Sequence, residues 1–300
     1  MRGLIIEVSP VSKNTSIAHV RNSLYIQKQT GFDICWNDST IIKSIKKQYD
    51  ILLFSYSSKF APHQLMEKLI HKNKNAKLMW AINEYNGSVP KCLRDAGGIN
   101  VIANFDRIKK RNYDYVKKWL NVDLNSWIIQ SEKQTLTNKK YDSVYYGTYR
   151  EGRKNYFKKY LQNGIHCSSS SKNHKFFRNA GCEPIFIEKL KWTKHKENLS
   201  LFDKSLYIED LFTHKHFNRM SNRFYEALFC NVLPVFDESC VNTIKKSNFN
   251  INDDWIVNSL EDMKKLNSKD YTKEIKNLFY ESLEIKKNET LKTLDFIYNG

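Results

Sequence analysis

Residues 51–82, ILLFSYSSKFAPHQLMEKLIHKNKNAKLMWAI, decide the fold class. Ile51–Tyr56 is an apolar run of strand length, and such runs mark strands buried on both faces. Pro62–Lys72 reads as a helix, and Lys77–Ile82 as a second strand. Strands separated by helical patterns of ~10–15 residues imply a parallel sheet in a Rossmann-like domain. The pattern extends in both directions. Upstream, Leu4–Val8 reads as a strand. Ser16–Thr30 reads as a helix with Ile17, Val20, Leu24 and Tyr25 on one stripe, and Gly31 stops it. Phe32–Trp36 is apolar again, and Ile41–Gln48 suits a short helix. Downstream, Val101–Asn104 reads as a strand and Asp114–Leu120 as a helix.

The same grammar restarts after about residue 135, beyond the polar stretch Gln134–Lys140. Ser143–Tyr146 is a strand running into a glycine turn. Arg153–Asn163 follows as a helix, Gly164–Cys167 as a strand, and Ser168–Lys172 as a polar loop. Ser205–Ile208 is a strand, Arg219–Phe229 a helix and Val232–Asp237 a strand. Asp254–Val257, Leu260–Leu266 and two late amphipathic helices reaching Ile297 complete the chain. The expected architecture is α/β, with two Rossmann-like domains facing across a cleft. The first spans 1–135 and the second 140–284, with the C-terminal helix 285–300 packed back on the first. Open parallel sheets place ligands at the carboxyl ends of their strands.

Composition narrows the partners. The chain has 300 residues and a formal net charge of +17. Hydrophobic residues make up 41% and charged residues 27%, a globular composition rather than a disordered one. So large a positive excess suits a polyanion: nucleic acid, an acidic membrane surface or phosphorylated ligands. The excess is densest early, where residues 1–130 hold 20 Lys and Arg against 10 Asp and Glu. Its sharpest run is RIKKRNYDYVKK, residues 107–118. There Arg107, Lys109, Lys110, Arg111, Lys117 and Lys118 interleave with two tyrosines, as on nucleic-acid surfaces. A solvated helix face would read the same way.

The amino-terminal apolar run is cut by Glu7 and lacks a signal-peptide core. No window approaches the ~18 apolar residues of a membrane span. The six cysteines (35, 92, 167, 182, 230, 240) show no metal-ligand spacing and read as reduced packing residues of a cytoplasmic protein. No GxGxxG, P-loop, GxSxG, HExxH or EF-hand pattern occurs.

Two segments carry chemistry. In VYYGTYREGRK, residues 144–154, a strand ends at Gly147 and a helix begins among Arg150, Arg153 and Lys154. Helix starts and arginine forks both favour phosphate, and the arrangement suits a diphosphate. In NRFYEALFCNVLPVF, residues 222–236, Arg223 and Glu226 share one face of a helix that leads into an apolar strand. There Glu226 can accept both hydroxyls of a ribose, and Arg223 can reach its phosphates. An ordinary surface ion pair is the alternative. His214 and His216 precede that helix and line the same region or a loop. His19, Ser168–Ser171, Asp237 and Glu238 read as structural or loop residues.

The second segment resembles the nucleotide-sugar segment of GT-B glycosyltransferases. Both together resemble the phage DNA beta-glucosyltransferase family, over roughly residues 141–290. The resemblance implies a UDP-sugar donor, with UDP-glucose first among candidates. It carries the donor roles onto Gly147, Arg150, Lys154 with Arg153 as substitute, Arg223 and Glu226. A weaker echo, KLMWAINEYN at residues 77–86, puts Glu84 at the family's general-base position, with Asn83 as the alternative. Glu226 plus eight positions is Pro234, so the Glu-x7-Glu of retaining relatives is absent, which leans toward inverting transfer. The implied function is transfer of a sugar to the hydroxymethyl group of a modified pyrimidine in double-stranded DNA. No metal ligands are assigned, and a divalent metal is not required by the sequence. The implied enzyme is a monomer of the cytoplasm, that of the infected host cell if phage-encoded. Two rival readings stay open: a UDP-sugar transferase for lipid-linked or cell-surface glycans at an anionic membrane, and a non-catalytic nucleic-acid-binding protein.

Overall fold

Two parallel sheets organise the chain, each built from the apolar runs read above. The computed structural model describes residues 1–7, 17–36, 46–55, 63–82, 89–103, 114–123, 139–147, 149–161, 165–168, 171–181, 199–208, 220–247 and 249–300; for 17–19, 168 and 171–173 it describes the backbone alone. Two compact units result, one of residues 1–130 with 285–300 and one of 131–284.

In the N-terminal unit the strands are β1 (Gly3–Glu7), β2 (Asp33–Trp36), β3 (Ile51–Phe54), β4 (Lys77–Ile82), β5 (Ile99–Ala103) and β6 (Val116–Asn121). They pair in the order β2-β1-β3-β4-β5-β6, every pair parallel. Strands β1, β3 and β5 are buried along their whole length, which is why their sequences run apolar rather than alternating. Helices α1 (Ile17–Thr30), α2 (His63–Lys72) and α3 (Lys91–Asp95) fall between strands, and α2 buries Met66 and Leu69.

The C-terminal unit repeats the plan. Its strands are β7 (Tyr141–Tyr146), β8 (His166–Ser168), β9 (Phe202–Tyr207), β10 (Leu233–Asp237) and β11 (Ile256–Val257), paired in parallel as β11-β10-β9-β7-β8. Its helices are α4 (Lys154–Tyr160), α5 (Ser171–Asn179), α6 (Asn222–Phe229), α7 (Val241–Lys246) and α8 (Leu260–Lys265). In both sheets the chain moves one strand outward, then returns past its starting strand. The reversal falls between β1 and β3, and between β7 and β9. Doubly wound sheets open a ligand crevice at such a point, outside the strands' carboxyl ends.

Three expectations are corrected. Asp114–Leu120 is no helix: residues 114–115 make a tight turn, and Val116–Asn121 is the edge strand β6. Its lysines suit an edge, where cations oppose further pairing. Ser171 and Lys172 open α5 rather than lying in a loop. Of the short helix expected over 41–48, residues 41–45 lie outside the described residues and 46–48 are turn and coil.

The two late helices are one helix, α9 (Thr272–Asn299), 28 residues long. No glycine or proline interrupts it, and the Asp270 carboxylate accepts the Thr272 backbone N–H at its start. Its buried stripe changes character midway. Ile275, Leu278, Phe279 and Leu283 are apolar; Lys286, Glu289, Thr290 and Thr293 are polar; Ile297 is apolar again. That polar middle makes the sequence read as two helices. The threonine hydroxyls bond back to the carbonyls of Lys286 and Glu289. The Lys286 ammonium donates to the Asp123 carboxylate and, at 3.0 Å, to Glu289. Ile297 then joins Ile5, Ile51, Leu53, Met79 and Ile102 in the N-terminal core.

The side chain of Lys286 is 1% exposed, with two carboxylates against it. Removing one partner of a buried ion pair costs about 3–5 kcal/mol because the other charge is left uncompensated. Lys286→Met is therefore expected to lower unfolding free energy by about that much in urea titration. A loss below about 1 kcal/mol would show the triad to be dispensable.

Candidate active site

The C-terminal sheet presents its reversal point through the ends of β7 and β9. Leaving β7, the chain passes Gly147 and turns at Tyr149–Arg150 into a single tight turn, Glu151–Arg153, before α4. Aromatic packing holds this turn down. The Tyr149 ring stacks on Phe176 with centroids 5.7 Å apart and meets Phe177 edge-on at 5.3 Å. The Tyr149 hydroxyl donates to Glu151 at 2.6 Å, and the Arg153 N–H to the Arg150 carbonyl at 2.9 Å. Helix α4 has only seven residues, so charge here comes from side chains rather than from a helix end.

Helix α6 supplies the opposite wall. Phe224, Tyr225, Ala227, Leu228 and Phe229 are all buried, which fixes the helix on the sheet. It ends in a Schellman turn: Val232 N–H bonds to the Ala227 carbonyl, Asn231 N–H to that of Leu228, and Asn231 takes φ 51°. With the helix so anchored, Arg223 and Glu226 stand side by side. The Tyr207 hydroxyl at the end of β9 donates to the Arg223 carbonyl.

The Arg223 guanidinium reaches the backbone of β7. A Cβ at Gly147 would lie 2.8 Å from both Arg223 terminal nitrogens and 2.9 Å from Cζ. The φ of Gly147 is not positive, so glycine serves here for close approach and not for a special turn. The same guanidinium lies 5.8 Å from the Tyr146 ring centroid. Burial, and then the Glu226 carboxylate, push the Tyr146 hydroxyl well above the usual tyrosine range, so it stays protonated. Glu226 is 6% exposed.

Arg153, Tyr207, Ser221, Arg223 and Thr243 join Phe224, Phe236 and Ile244 around a small recess of ≈ 30 Å³. Arg153 is the decisive member. Of the described residues, three cations are buried: Arg153, Lys204 and Lys286. Lys204 pairs with Asp142, and Lys286 with Asp123 and Glu289. Among the described residues no carboxylate pairs with Arg153: one terminal nitrogen donates to the Tyr145 hydroxyl at 2.9 Å, and its buried Nε has no partner there. A guanidinium so placed can hydrogen-bond an anion. Lys154, by contrast, is exposed and lies 3.5 Å from Glu151. The geometry thus gathers Gly147, Arg153, Arg223 and Glu226, leaves Arg150 exposed at the turn, and turns Lys154 to the surface.

Sequence reading missed part of this site. Tyr146 and Tyr207 looked like strand residues, and their only signal was their place at strand ends. Asp237 is no loop acid: it closes β10 fully buried, accepting from Ser239 N–H at 2.9 Å, Tyr160 hydroxyl at 2.7 Å and Lys159 at 3.1 Å. Burial alone would raise its pKa; those three donors outweigh it and hold the carboxyl below the usual range. Glu84, Asn83, Arg107, Lys109, Lys110, Arg111, His214 and His216 lie outside the described residues, as does the side chain of His19. Lys117 and Lys118 lie on β6, not on a helix. Among the described residues the one convergent His/Cys/Asp/Glu group is His63, Glu67 and Asp95 in the N-terminal unit. No described helix is long and apolar enough to cross a membrane.

No protein-family model and no curated protein matches the sequence. Solved structures do. T4 phage beta-glucosyltransferase in complex with UDP and Mn2+ superposes with TM-score 0.73 at 15% identity, over 100% of both chains. Its complex with UDP-glucose gives 0.72 at 15%, again over 100% of both chains. An alpha-glucosyltransferase in complex with UDP and a DNA 13-mer gives 0.69 at 14% identity over the full length of both. At such identities the likeness is one of fold: the chain has the GT-B architecture of these glucosyltransferases.

The burial of Arg153 without a carboxylate partner among the described residues gives a stability test. A buried charge held by one neutral hydrogen bond adds little to stability. Arg153→Met is expected to change unfolding free energy by less than about 1 kcal/mol, or to raise it. A loss of about 3 kcal/mol or more would mark Arg153 as a structural residue.

Proposed function

We propose that the protein is a DNA glycosyltransferase. It moves a sugar, glucose in the first instance, from UDP to the hydroxymethyl group of a modified pyrimidine in double-stranded DNA. The observation that carries this reading is the buried Arg153, without a carboxylate partner among the described residues, on the same recess as Arg223, whose guanidinium lies against Gly147. That is a diphosphate-shaped concentration of positive charge at the carboxyl ends of a parallel sheet. Its position on the fold shared with enzymes bound to UDP and UDP-glucose supports the donor. The DNA held by the alpha-glucosyltransferase, with the net charge of +17, supports the acceptor.

The roles follow from the chemistry. Glu226 accepts the two ribose hydroxyls, and the apolar wall of Phe224, Phe236 and Ile244 takes the base. Arg153 and Arg223 hold the diphosphate, with Arg150 at the rim. Among the described residues, no carboxylate lines the recess. The charge that builds on UDP as it leaves is therefore met by guanidinium groups, with side chains that need no metal to act. A divalent ion bound by the diphosphate would supply additional charge there.

The target base swings out of the duplex to reach the sugar. Its hydroxymethyl oxygen attacks the anomeric carbon as the bond from that carbon to the diphosphate oxygen breaks. The electron pair leaves with UDP, and a carboxylate, in our assignment Glu84, takes the hydroxyl proton. This single displacement inverts the anomeric centre. DNA as substrate places the enzyme in the cytoplasm.

Incubation with UDP-glucose and hydroxymethylcytosine DNA, followed by nucleoside mass spectrometry, tests the assignment. Glucosylated nucleoside is expected. Arg223→Ala and Glu226→Ala are expected to abolish transfer while leaving the melting transition in place; full activity in either would overturn the site. Gly147→Ala drives a methyl into the Arg223 guanidinium. Displacing a charged hydrogen-bond donor costs ~1.5–3 kcal/mol, so UDP affinity by calorimetry should fall about tenfold or more.

A further inference from the structure

The amino end of the N-terminal sheet, opposite the ends where doubly wound sheets bind ligands, holds a second recess, of ≈ 250 Å³. Its ionisable lining is His71, Lys74, Lys77 and Lys117, and no acidic residue lines it. Lys77 donates to the carbonyls of Ile297 and Tyr298 at the end of α9. Among the described residues no carboxylate pairs with His71, Lys74 or Lys117.

Two features show that the recess is built rather than incidental. Ile99 pairs with Val116 and Asn100 with Lys118, so Lys117 is an extra residue bulged out of the ladder. A bulge breaks strand alternation and re-aims a side chain. Lys117 is aimed across Gly98, where a Cβ would lie 2.6 Å from its Cε. Second, Asn100 is only 6% exposed and lines the recess. A nearly buried amide donor beside unpaired ammonium groups matches a phosphate oxygen.

We infer that this recess binds a phosphodiester of the DNA backbone at a distance from the reacting base. The inference rests on the reading of the protein as a DNA-modifying enzyme. Asn100 donates its amide N–H to a phosphate oxygen, while Lys74 and Lys117 supply the charge. Strand β4 has six residues. At ~3.3 Å per residue it spans about 20 Å, the length of about six base pairs. A duplex engaged at the carboxyl ends of this sheet reaches the recess only if it extends at least that far past its target.

The test compares two duplexes carrying a central hydroxymethylated base, one with about four flanking base pairs on each side and one with about fourteen. Affinities are measured by fluorescence anisotropy across a salt series, for the full chain and for the Lys74→Gln/Lys117→Gln variant. The affinity advantage of the long duplex is expected to fall about tenfold, and its salt slope by about one to two. Asn100→Leu should reduce the same advantage with less change in slope, since it removes a donor and no charge. An unchanged advantage and slope in the double variant would overturn the recess while leaving the DNA reading intact. If the unaltered protein binds neither duplex in a salt-dependent way, the DNA reading itself fails.

Discussion

The close approach of the Arg223 guanidinium to the backbone at Gly147 constrains much of the C-terminal unit. It requires the residue just past the end of β7 to lack a side chain. It also requires α6 to sit at a fixed height on the sheet, which its buried aromatic face, the Asn231 turn and the Tyr207 hydroxyl together secure. Shift the helix by one residue and Glu226 leaves its place beside Tyr146. The apolar packing of this unit is thus also what sets two polar groups within one ligand's reach.

Buried charge divides the molecule by purpose. Where a cation serves the fold, a carboxylate accompanies it, as for Lys204 with Asp142 and Lys286 with Asp123. Buried Arg153 has no such partner among the described residues and lines a recess instead.

Fold class was legible because parallel strands buried on both faces run apolar, as ILLF at β3 and LPVF within β10 do. The reading failed where tertiary contacts override local composition. Val116–Asn121 carries two lysines and becomes a strand only because β5 offers an edge to pair with. Helix α9 hides its continuity because its stripe turns polar where it crosses Asp123. At the candidate site, the shared helix face of Arg223 and Glu226 was legible from their spacing. That Arg153 is buried and Lys154 is not was illegible, since adjacent basic residues look alike in sequence.

The route of α9 also bears on how the protein is made. Residues 285–300 complete the N-terminal unit but are synthesised after the whole C-terminal unit. Domains generally fold in order of emergence from the ribosome. Here the first unit to emerge lacks Ile297, a fully buried member of its core, together with the lysine that neutralises Asp123. It must wait, incomplete and with a vacant groove, while the second unit is translated. The later-made unit can close first, and the earlier one is finished by the last segment of the same helix.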